Sequence, residues 1–522
     1  MKRETWVAAV VGMLAAAVTL AVGHFVALLV APGASPLLAV GAWVIDIVPP
    51  WVKDTAIALF GTGDKVALLV GLGLLVAILA AAAGILEFRR PPWGIVVLVV
   101  VGVIATIAAL TRSGATINWS IPTAVGVVGG AVVLRIASDR LRTWQGTQHS
   151  AAVAAKPGIP DPAVGLSRRK FLTAVIVAAG VAAVAGAASG VMSRATQVAN
   201  TVREAIRLPK PAQPAPPIPA GAELDIQGLA TVVTPNPSFY RIDTALGVPN
   251  IDTSEWRLRI VGMVENEVEI GWDELLALPL EESAVTLACV SNEVGGDLIG
   301  NAMWLGYPIR HLLERAKPTA DADMVLSRSI DGFTASTPLE ALTDDSRVAM
   351  LAVGMNGETL PLEHGFPVRM VVAGLYGYVS ATKWVTELKV TRFDKETAYW
   401  TDRGWSEKGP IKTSSRIDVP QAGAFVEAGT VTVAGMAWAQ HTGIDSVQVR
   451  VDQGEWHDAR LADAINSDTW VQWVWEWEGA EAGLHELEVR ATDTYGKTQS
   501  EKRLPVVPDG AEGWHLIRVS VG

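Results

Sequence analysis

The side chain with the most distinctive chemistry in this 522-residue chain is its only cysteine, Cys289. It follows the apolar run 284–288 and opens the polar, glycine-containing loop 290–297, so the sequence predicts a thiol at the end of a strand. One thiolate is a good protein ligand for a soft, high-valent metal whose other ligands come from a cofactor. With His311 or His364 it could instead be a nucleophile, and a lone cysteine is often only a small core residue.

A second group of polar residues lies in segment 356–369 and just beyond it. It places the imidazole of His364, the guanidinium of Arg369 and the ammonium of Lys383 around a glycine-containing turn. Such a set suits an anionic, phosphate-bearing ligand, because a guanidinium binds two oxygens at once and glycines allow close backbone approach. The composition alone fits a surface turn with unrelated charges equally well.

Composition excludes several classes of protein. One cysteine rules out a disulfide framework and any zinc or iron–sulfur site that needs several thiolates. The net charge is −11, and only 18% of the residues are charged whereas 50% are hydrophobic, which argues against a single soluble globule. Residues 1–170 carry 14 Lys/Arg and 7 Asp/Glu, and residues 171–522 carry 28 and 46. An acidic main body disfavours nucleic acid as a partner.

The basic N-terminal part contains apolar stretches long enough to cross a bilayer. They predict five transmembrane helices, over residues 6–30, 66–86, 93–110, 117–134 and 171–191. The segment between the first two is broken by Pro49-Pro50 and predicts an interfacial loop. Only His24 lies within a predicted span, so this chain alone cannot supply two histidines to a haem inside the bundle.

Lysine and arginine placement predicts the orientation of these helices. Clusters at Lys2-Arg3, at Arg89-Arg90 and over residues 135–170 fall on alternate sides of successive helices and are expected to be cytoplasmic. The acidic body then lies on the extracytoplasmic side of the plasma membrane. The segment 167–172 resembles a twin-arginine translocation signal, here internal, although flanking positive charge explains the same residues.

Beyond the last span, the pattern indicates a linker and two domains. Residues 208–219 read LPKPAQPAPPIP and predict an extended spacer of roughly 35 Å. Strand-like and helix-like runs then mix, which indicates an α+β domain with a mixed sheet. From residue 420 apolar residues alternate with period two, which predicts an immunoglobulin-like β-sandwich. Its Trp473, Trp475 and Trp477 mark either a core or an exposed binding surface.

The predicted boundaries follow from these changes of pattern. They are 1–142 for four transmembrane helices, 143–194 for a cytoplasmic linker and the fifth helix, 195–222 for the Pro-rich linker, 223–416 for the catalytic domain and 417–522 for the sandwich.

Several ordered segments resemble the molybdopterin domain of the sulfite oxidase family. They are residues 286–292, 299–306 and 355–369 with Lys383-Trp384. Phe239-Tyr240-Arg241 and the stretch 415–418 are similar as well. The resemblance covers roughly residues 225–522, and the sandwich is similar to the family's C-terminal dimerisation domain.

The resemblance implies a molybdenum centre bound by one pyranopterin and by the thiolate of Cys289. It implies that the cofactor is held by Cys289, Asn292, His364, Arg369, Ser380 and Lys383. Arg241 occupies the position of a basic residue near the substrate, and Trp405 stands where the family places a substrate-side tyrosine. No haem or iron–sulfur motif is present, so the electrons are expected to leave to a separate cytochrome or quinone-linked protein.

The expected activity is therefore membrane-anchored, extracytoplasmic oxygen-atom transfer on a sulfur substrate, with oxidation of sulfite to sulfate first. Reduction of a methionine-sulfoxide-like sulfoxide is the alternative, because the loop after Cys289 reads Asn292-Glu293-Val294 and lacks the family's cation. A cofactor-free cell-surface binding or scaffold protein is the alternative of another class. A homodimer and contact with membrane lipid are also expected, and nucleic acid is not.

Overall fold

The computed structural model of the chain contains two compact units, Met1–Thr201 with Ala245–Gly247, and Val202–Thr244 with Val248–Gly522. The structure describes residues 3–30, 32–48, 52, 55, 59, 64–112, 115–154, 162–193, 203, 206–245, 247–249 and 251–522.

The first unit is helical. Its helices are α1 (Arg3–Val30), α2 (Pro36–Ile47), α3 (Asp64–Arg89), α4 (Trp93–Leu110), α5 (Ser120–Ala154) and α6 (Pro162–Ser193). Within the described part of the chain, five of them, all except α2, are long and apolar enough to cross a membrane. The prediction of five long apolar helices is confirmed.

The predicted interfacial loop is wrong over residues 36–47, which form α2. This stretch is apolar except for Asp46, and it begins with a proline in the first turn, where the missing N–H costs no hydrogen bond. Pro49-Pro50, on which the loop prediction was based, lie outside the described residues.

Helices α1 and α3 cross where each carries a glycine. A Cβ on Gly12 would lie 2.0 Å from the carbonyl oxygen of Ala80, and a Cβ on Gly84 would lie 2.2 Å from that of Ala8. The two backbones are therefore in direct contact, as is typical of small residues between membrane helices.

The second unit contains all the strands that the described residues form. They are β1 (Arg257–Gly262), β2 (Val268–Gly271), β3 (Glu281–Ala288), β4 (Ile299–Pro308), β5 (Met324–Ser329), β6 (Thr334–Pro338), β7 (Ala349–Met355), β8 (Glu358–Thr359), β9 (Arg369–Val372), β10 (Val385–Thr391), β11 (Ser414–Val419), β12 (Phe425–Val426), β13 (Gly429–Trp438), β14 (Ile444–Val451), β15 (His457–Asp458), β16 (Arg460–Leu461), β17 (Val471–Ala480), β18 (Gly483–Asp493) and β19 (His515–Val521). Its helices are α7 (Trp272–Ala277), α8 (Ile309–Ala316), α9 (Leu339–Thr343) and α10 (Gly377–Ser380).

The Pro-rich segment lies against this unit. The N–H of Ala212 donates to the carbonyl of Leu280 at 2.7 Å, and Glu282 donates its N–H to the carbonyl of Gln213 at 2.9 Å. The segment is extended as predicted, but it is bound to the start of β3 and does not act there as a free spacer.

Two sheets form the α+β part of the second unit. One has the order β2-β1-β10-β5-β6, and the other has the order β3-β4-β7-β8 with β9 paired to β7. β1 and β10 are parallel, whereas the other pairs are antiparallel, as in β3 with β4. The prediction of an α+β domain with a mixed sheet is confirmed.

Two further sheets form the C-terminal part, with orders β11-β13-β17-β16 and β12-β19-β18-β14-β15. Both contribute to one apolar core, which contains Val433, Trp473 and Val519. Trp473 is fully buried and Trp477 nearly so, while Trp475 packs against this core from its edge. The tryptophans therefore form core and not an exposed binding surface. The immunoglobulin-like assignment remains a prediction.

We expect Trp473→Ala to lower the free energy of unfolding by about 3–5 kcal/mol, because it opens a cavity between the two C-terminal sheets. The midpoint of thermal unfolding of the full chain in detergent measures this. Tyr495→Ala is the control, since that side chain is 85% exposed. Equal midpoints for the two variants would contradict a core role for Trp473.

Candidate active site

Cys289 lies in the wall of a cavity of about 850 Å³, open mouth included. The cavity is formed by the chain before β1, the end of β3, the turn before β9 and the segment around α10. Its wall includes Tyr240, Asp243, Cys289, Asp331, His364, Arg369, Tyr378, Lys383, Trp400 and Trp405. The structure brings Cys289, His364, Arg369, Lys383 and Trp405 together in this wall, and their shared role in one site stays a prediction.

The thiol of Cys289 is at the end of β3, one residue beyond the last ladder pair, Ala288 with Ile299. The backbone N–H of Cys289 donates to the carbonyl of Leu298 at 2.9 Å, and the Sγ of Cys289 accepts the N–H of Ser291 at 3.4 Å. The residue is 8% exposed, and burial raises the pKa of the thiol despite the Ser291 contact. A cation nearby, or a metal, is needed to make it a thiolate at neutral pH.

Asn292 closes the loop that follows Cys289. Its Oδ1 accepts the N–H of Leu298 at 2.9 Å, and its own N–H donates to the carbonyl of Cys289 at 3.1 Å. Asn292 is not among the residues of the cavity wall. Its side chain shapes the loop, and a direct contact with a cofactor stays a prediction.

Arg369 is the most deeply buried cation of the cavity, with 5% exposure. Its NH1 donates to the carbonyl of His364 at 3.1 Å, and its Cζ lies 5.0 Å from the ring centre of Trp304. No carboxylate in the described part of the chain forms an ion pair with it. Burial lowers the pKa of Arg369 to about 10, so it stays charged at neutral pH, and carbonyl oxygens and the Trp304 ring compensate its charge only in part.

Lys383 is paired with an acid. Its Nζ lies 3.0 Å from Oδ2 of Asp243 and donates to the carbonyl of Glu363, also at 3.0 Å. Burial lowers the pKa of Lys383 to about 8, and the carboxylate of Asp243 opposes this shift. Lys383 is therefore a cation at neutral pH that becomes neutral in mild alkali.

His364 is a neutral donor. Its Nε2 is 3.1 Å from the carbonyl oxygen of Asn236, so Nε2 carries the proton. Burial, followed by the charge of Arg369, lowers the pKa of His364 to about 4. The imidazole therefore adds no charge to the cavity at neutral pH.

Two further predicted site residues, besides Asn292, lie outside the cavity wall. Arg241 is 42% exposed at its side chain, and its Nε donates to Oδ2 of Asp243 at 2.9 Å. Ser380 is fully buried and donates its hydroxyl to the carbonyl of Tyr376 at 2.9 Å, so it supports α10. Their predicted roles at a substrate and a cofactor stay predictions.

Trp405 does lie in the wall, within an aromatic group. Its ring centre is 6.2 Å from that of Trp400 and 5.9 Å from that of Tyr378. The phenolic oxygen of Tyr378 donates to the carbonyl of Ser406 at 2.8 Å. One side of the cavity is thus apolar and fixed in place.

Several polar residues of the wall were given no role in the site from the sequence alone, among them Tyr240, Asp243, Asp331 and Tyr378. Tyr240 and Asp243 flank Arg241 in the sequence, and that proximity was the available signal. Burial, with the charge of Cys289 adding to it, raises the pKa of Tyr240, so its phenol stays protonated. Asp331 lies in the turn between β5 and β6, and no local pattern connects it with Cys289.

The donor set fits an anionic cofactor that brings its own metal ligands. Among the residues that the structure describes, no three His, Cys, Asp or Glu side chains are grouped so that they could hold a metal ion. A metal at Cys289 therefore needs other ligands. The unpaired charge of Arg369, together with Lys383, favours a phosphate in the same cavity.

Comparison with known proteins gives an independent indication. Residues 245–400 match the family model for the oxidoreductase molybdopterin binding domain, a range that contains Cys289, His364, Arg369 and Lys383. The chain is 29% identical over 341 residues to the mitochondrial sulfite oxidase of Mus musculus, covering 55% of this chain and 62% of that protein. It is 25% identical over 330 residues to the sulfite oxidase of Arabidopsis thaliana, covering 52% and 84%.

A crystal structure of the sulfane dehydrogenase SoxCD from Paracoccus pantotrophus is similar over 56% of this chain and 84% of that chain. The identity is 23% and the TM-score is 0.48, a value too low to establish a common fold. The chain spans about 62% of the length of the Mus musculus relative.

We expect anion binding in the cavity of cofactor-free protein to weaken about tenfold from pH 7 to pH 9, because Lys383 loses its proton near pH 8. Inorganic sulfate is a suitable probe, since its charge does not change over this range, and its affinity can be followed by tryptophan fluorescence. Lys383→Met is expected to abolish the pH dependence. Lys389→Met, which removes a lysine paired with Glu396, is expected to retain it, and the reverse pattern would contradict the assignment.

Proposed function

We propose, from the match of residues 245–400 to the oxidoreductase molybdopterin binding domain, that this chain is a molybdopterin-dependent oxidoreductase of the sulfite oxidase type and that its cavity catalyses oxygen-atom transfer on a small sulfur compound. The observation that carries this proposal is the meeting of the only thiol of the chain with the buried cations Arg369 and Lys383 in one cavity. A cofactor-free scaffold has no use for a buried guanidinium that is compensated only in part, which is costly without an anionic ligand.

Each group of the cavity then has a role. Cys289 binds the metal, Arg369 and Lys383 hold the anionic part of the cofactor, and the neutral His364 holds its polar edge. Asn292 and Ser380 fix the backbone that carries these side chains. When bound, the molybdenum cofactor supplies two-electron oxygen-atom transfer and passes the electrons on singly.

Oxidation of sulfite to sulfate is the first candidate reaction. It consumes one water and releases two electrons and two protons. We assign Arg241 to the substrate oxyanion because it is the more exposed of the two cations that share Asp243, whereas Lys383 and Arg369 are buried. The rings of Trp400 and Trp405 keep water from the apolar side of the cavity.

Reduction of a sulfoxide is the second candidate, and the charges of the wall favour it. Asp243 and Asp331 bring two carboxylates to the same cavity as the two cations. Negative charge beside the substrate disfavours a dianion such as sulfite, whereas the aromatic side suits an uncharged sulfoxide carrying an apolar group.

The membrane arrangement belongs to the same proposal. The length and composition of the five long apolar helices support an anchor in the plasma membrane, and the lysine and arginine pattern favours an extracytoplasmic catalytic unit. Export after cofactor insertion would use the twin-arginine-like segment 167–172. A separate cytochrome or quinone-linked protein accepts or supplies electrons, and the C-terminal sandwich mediates a homodimer.

We expect near-stoichiometric molybdenum in wild-type protein purified from a host competent for twin-arginine export. Cys289→Ser is expected to lower turnover by more than about 100-fold and to alter the spectrum of the metal centre, because it replaces the only protein ligand. Arg518→Gln, a surface change paired with Glu486, is the control. Folded wild-type protein without molybdenum would overturn the proposal and favour a cofactor-free binding protein.

Arg241→Gln separates the two candidate reactions. If sulfite is the substrate, the KM for sulfite rises about tenfold, which corresponds to the loss of about 1.4 kcal/mol of charge-assisted binding. Turnover of a sulfoxide with a reduced dye is expected to change less than twofold. Arg259→Gln, which removes an exposed arginine of β1, serves as control. A wild-type protein that reduces sulfoxides and leaves sulfite unchanged contradicts sulfite oxidation.

A further inference from the structure

The strand that leads to Cys289 is held on both edges. On one edge β3 pairs with β4. On the other edge the N–H of Thr286 donates to the carbonyl of Asp468 at 3.0 Å, and the carbonyl of Thr286 accepts a hydrogen bond from Nε2 of Gln440 at 3.1 Å. Asp468 and Gln440 belong to loops of the C-terminal sandwich, so this domain takes the place of a neighbouring strand.

The loop after Cys289 is held by the same domain. NH1 of Arg416, on β11, donates to the carbonyl of Gly296 at 2.9 Å. The same guanidinium is fixed by Asp418, whose Oδ1 lies 2.7 Å from its Nε, and it lies 5.7 Å from the ring centre of Trp470. Arg416 is 8% exposed, so this hydrogen bond is shielded from water and correspondingly strong.

A histidine completes the contact. Nδ1 of His515 accepts the N–H of Ile417 at 2.9 Å, and its ring packs on Gly295, where a Cβ would lie 2.2 Å from the imidazole. Gly295 also has a φ of +81°, a conformation that favours glycine. Gly295 and Gly296 therefore have no side chains to hold them in place. Besides the bond of Gly296 to Glu293 within the loop, they are contacted by Arg416 and His515 of the sandwich.

We propose that Arg416 is a positioning residue for Cys289. The C-terminal domain then orients the thiol, in addition to any contact that this domain makes in a dimer. The link runs from Asp418 through Arg416 to Gly296, then through the loop closed by Asn292 to the backbone of Cys289. Without it, two adjacent glycines would let the loop open and expose the thiol. The inference rests on the proposed function only in taking Cys289 as the metal ligand.

Alkylation of the only thiol in the chain measures this directly. The full-length protein in detergent, produced without molybdate, is treated with iodoacetamide, and the rate of modification of Cys289 is followed by mass spectrometry. The double variant Arg416→Gln with Asp418→Asn leaves no unpaired buried charge. We expect Cys289 of this double variant to be alkylated about tenfold faster than Cys289 of the wild type. This ratio corresponds to a free energy of local loop opening that is lower by about 1.4 kcal/mol.

Matched variants separate the bond to Gly296 from general destabilisation. Arg518→Gln, an exposed change on the same domain, is expected to stay within about twofold of the wild type. Asp418→Asn alone keeps the bond to Gly296 but removes the carboxylate that fixes Arg416, so it is expected to accelerate alkylation less than the double variant. Arg416→Lys keeps a positive charge opposite Asp418, but a single ammonium cannot also reach the carbonyl of Gly296. This variant is therefore expected to accelerate alkylation of Cys289. It replaces the double variant in the test if the double variant does not fold. Thermal midpoints are recorded for every variant.

Unchanged alkylation rates in folded Arg416→Lys and in the double variant would overturn the positioning role, as would equal acceleration by Arg518→Gln. The metal content of the wild type is measured separately. A wild type that lacks molybdenum overturns the proposed function, whereas the alkylation rates still decide whether Arg416 holds the loop. In loaded protein, the Arg416 variants are expected to shift the spectrum of the metal centre while retaining metal.

Discussion

The structure of the catalytic region depends on the burial of one positive charge, that of Arg369. A guanidinium in the interior is costly unless an anion or hydrogen bonds compensate it, and here carbonyl oxygens and the face of Trp304 provide only part of the compensation. The neighbouring Lys383 has its own carboxylate, and His364 is kept neutral. The cavity is therefore built around a charge that only a bound anion neutralises, which is why the thiol beside it is best explained as part of a cofactor site.

Rigid elements bring these groups together. Cys289 is at the end of β3 and Arg369 at the beginning of β9, and both strands belong to the same sheet through β4 and β7. Lys383 lies just before β10, a strand of the other sheet. The cavity is thus formed between the two sheets, and small movements of a loop do not disperse its charged groups.

The C-terminal sandwich contributes to this arrangement through its contacts with β3 and the loop after it. The backbone of Thr286 is hydrogen-bonded to Asp468 and Gln440, and the carbonyl of Gly296 is hydrogen-bonded to Arg416. A strand edge left open would be exposed to water or to other chains. Covering it with a domain of the same chain satisfies the backbone groups next to the thiol and limits the motion of the loop.

The sequence by itself determined what depends on local patterns. Long apolar runs defined the five long helices and alternation defined strands such as β13 and β17. Residue types gave Cys289 and the group of His364, Arg369 and Lys383 as two separate candidates, and only the resemblance to the sulfite oxidase family joined them. Tertiary structure alone decided which groups face one another across long sequence separations. It placed Asp331 in the cavity, paired Asp243 with Lys383, bound the Pro-rich segment to β3 and put Arg416 on Gly296. These outcomes depend on how sheets pack, and no pattern within a single segment encodes a contact made with another.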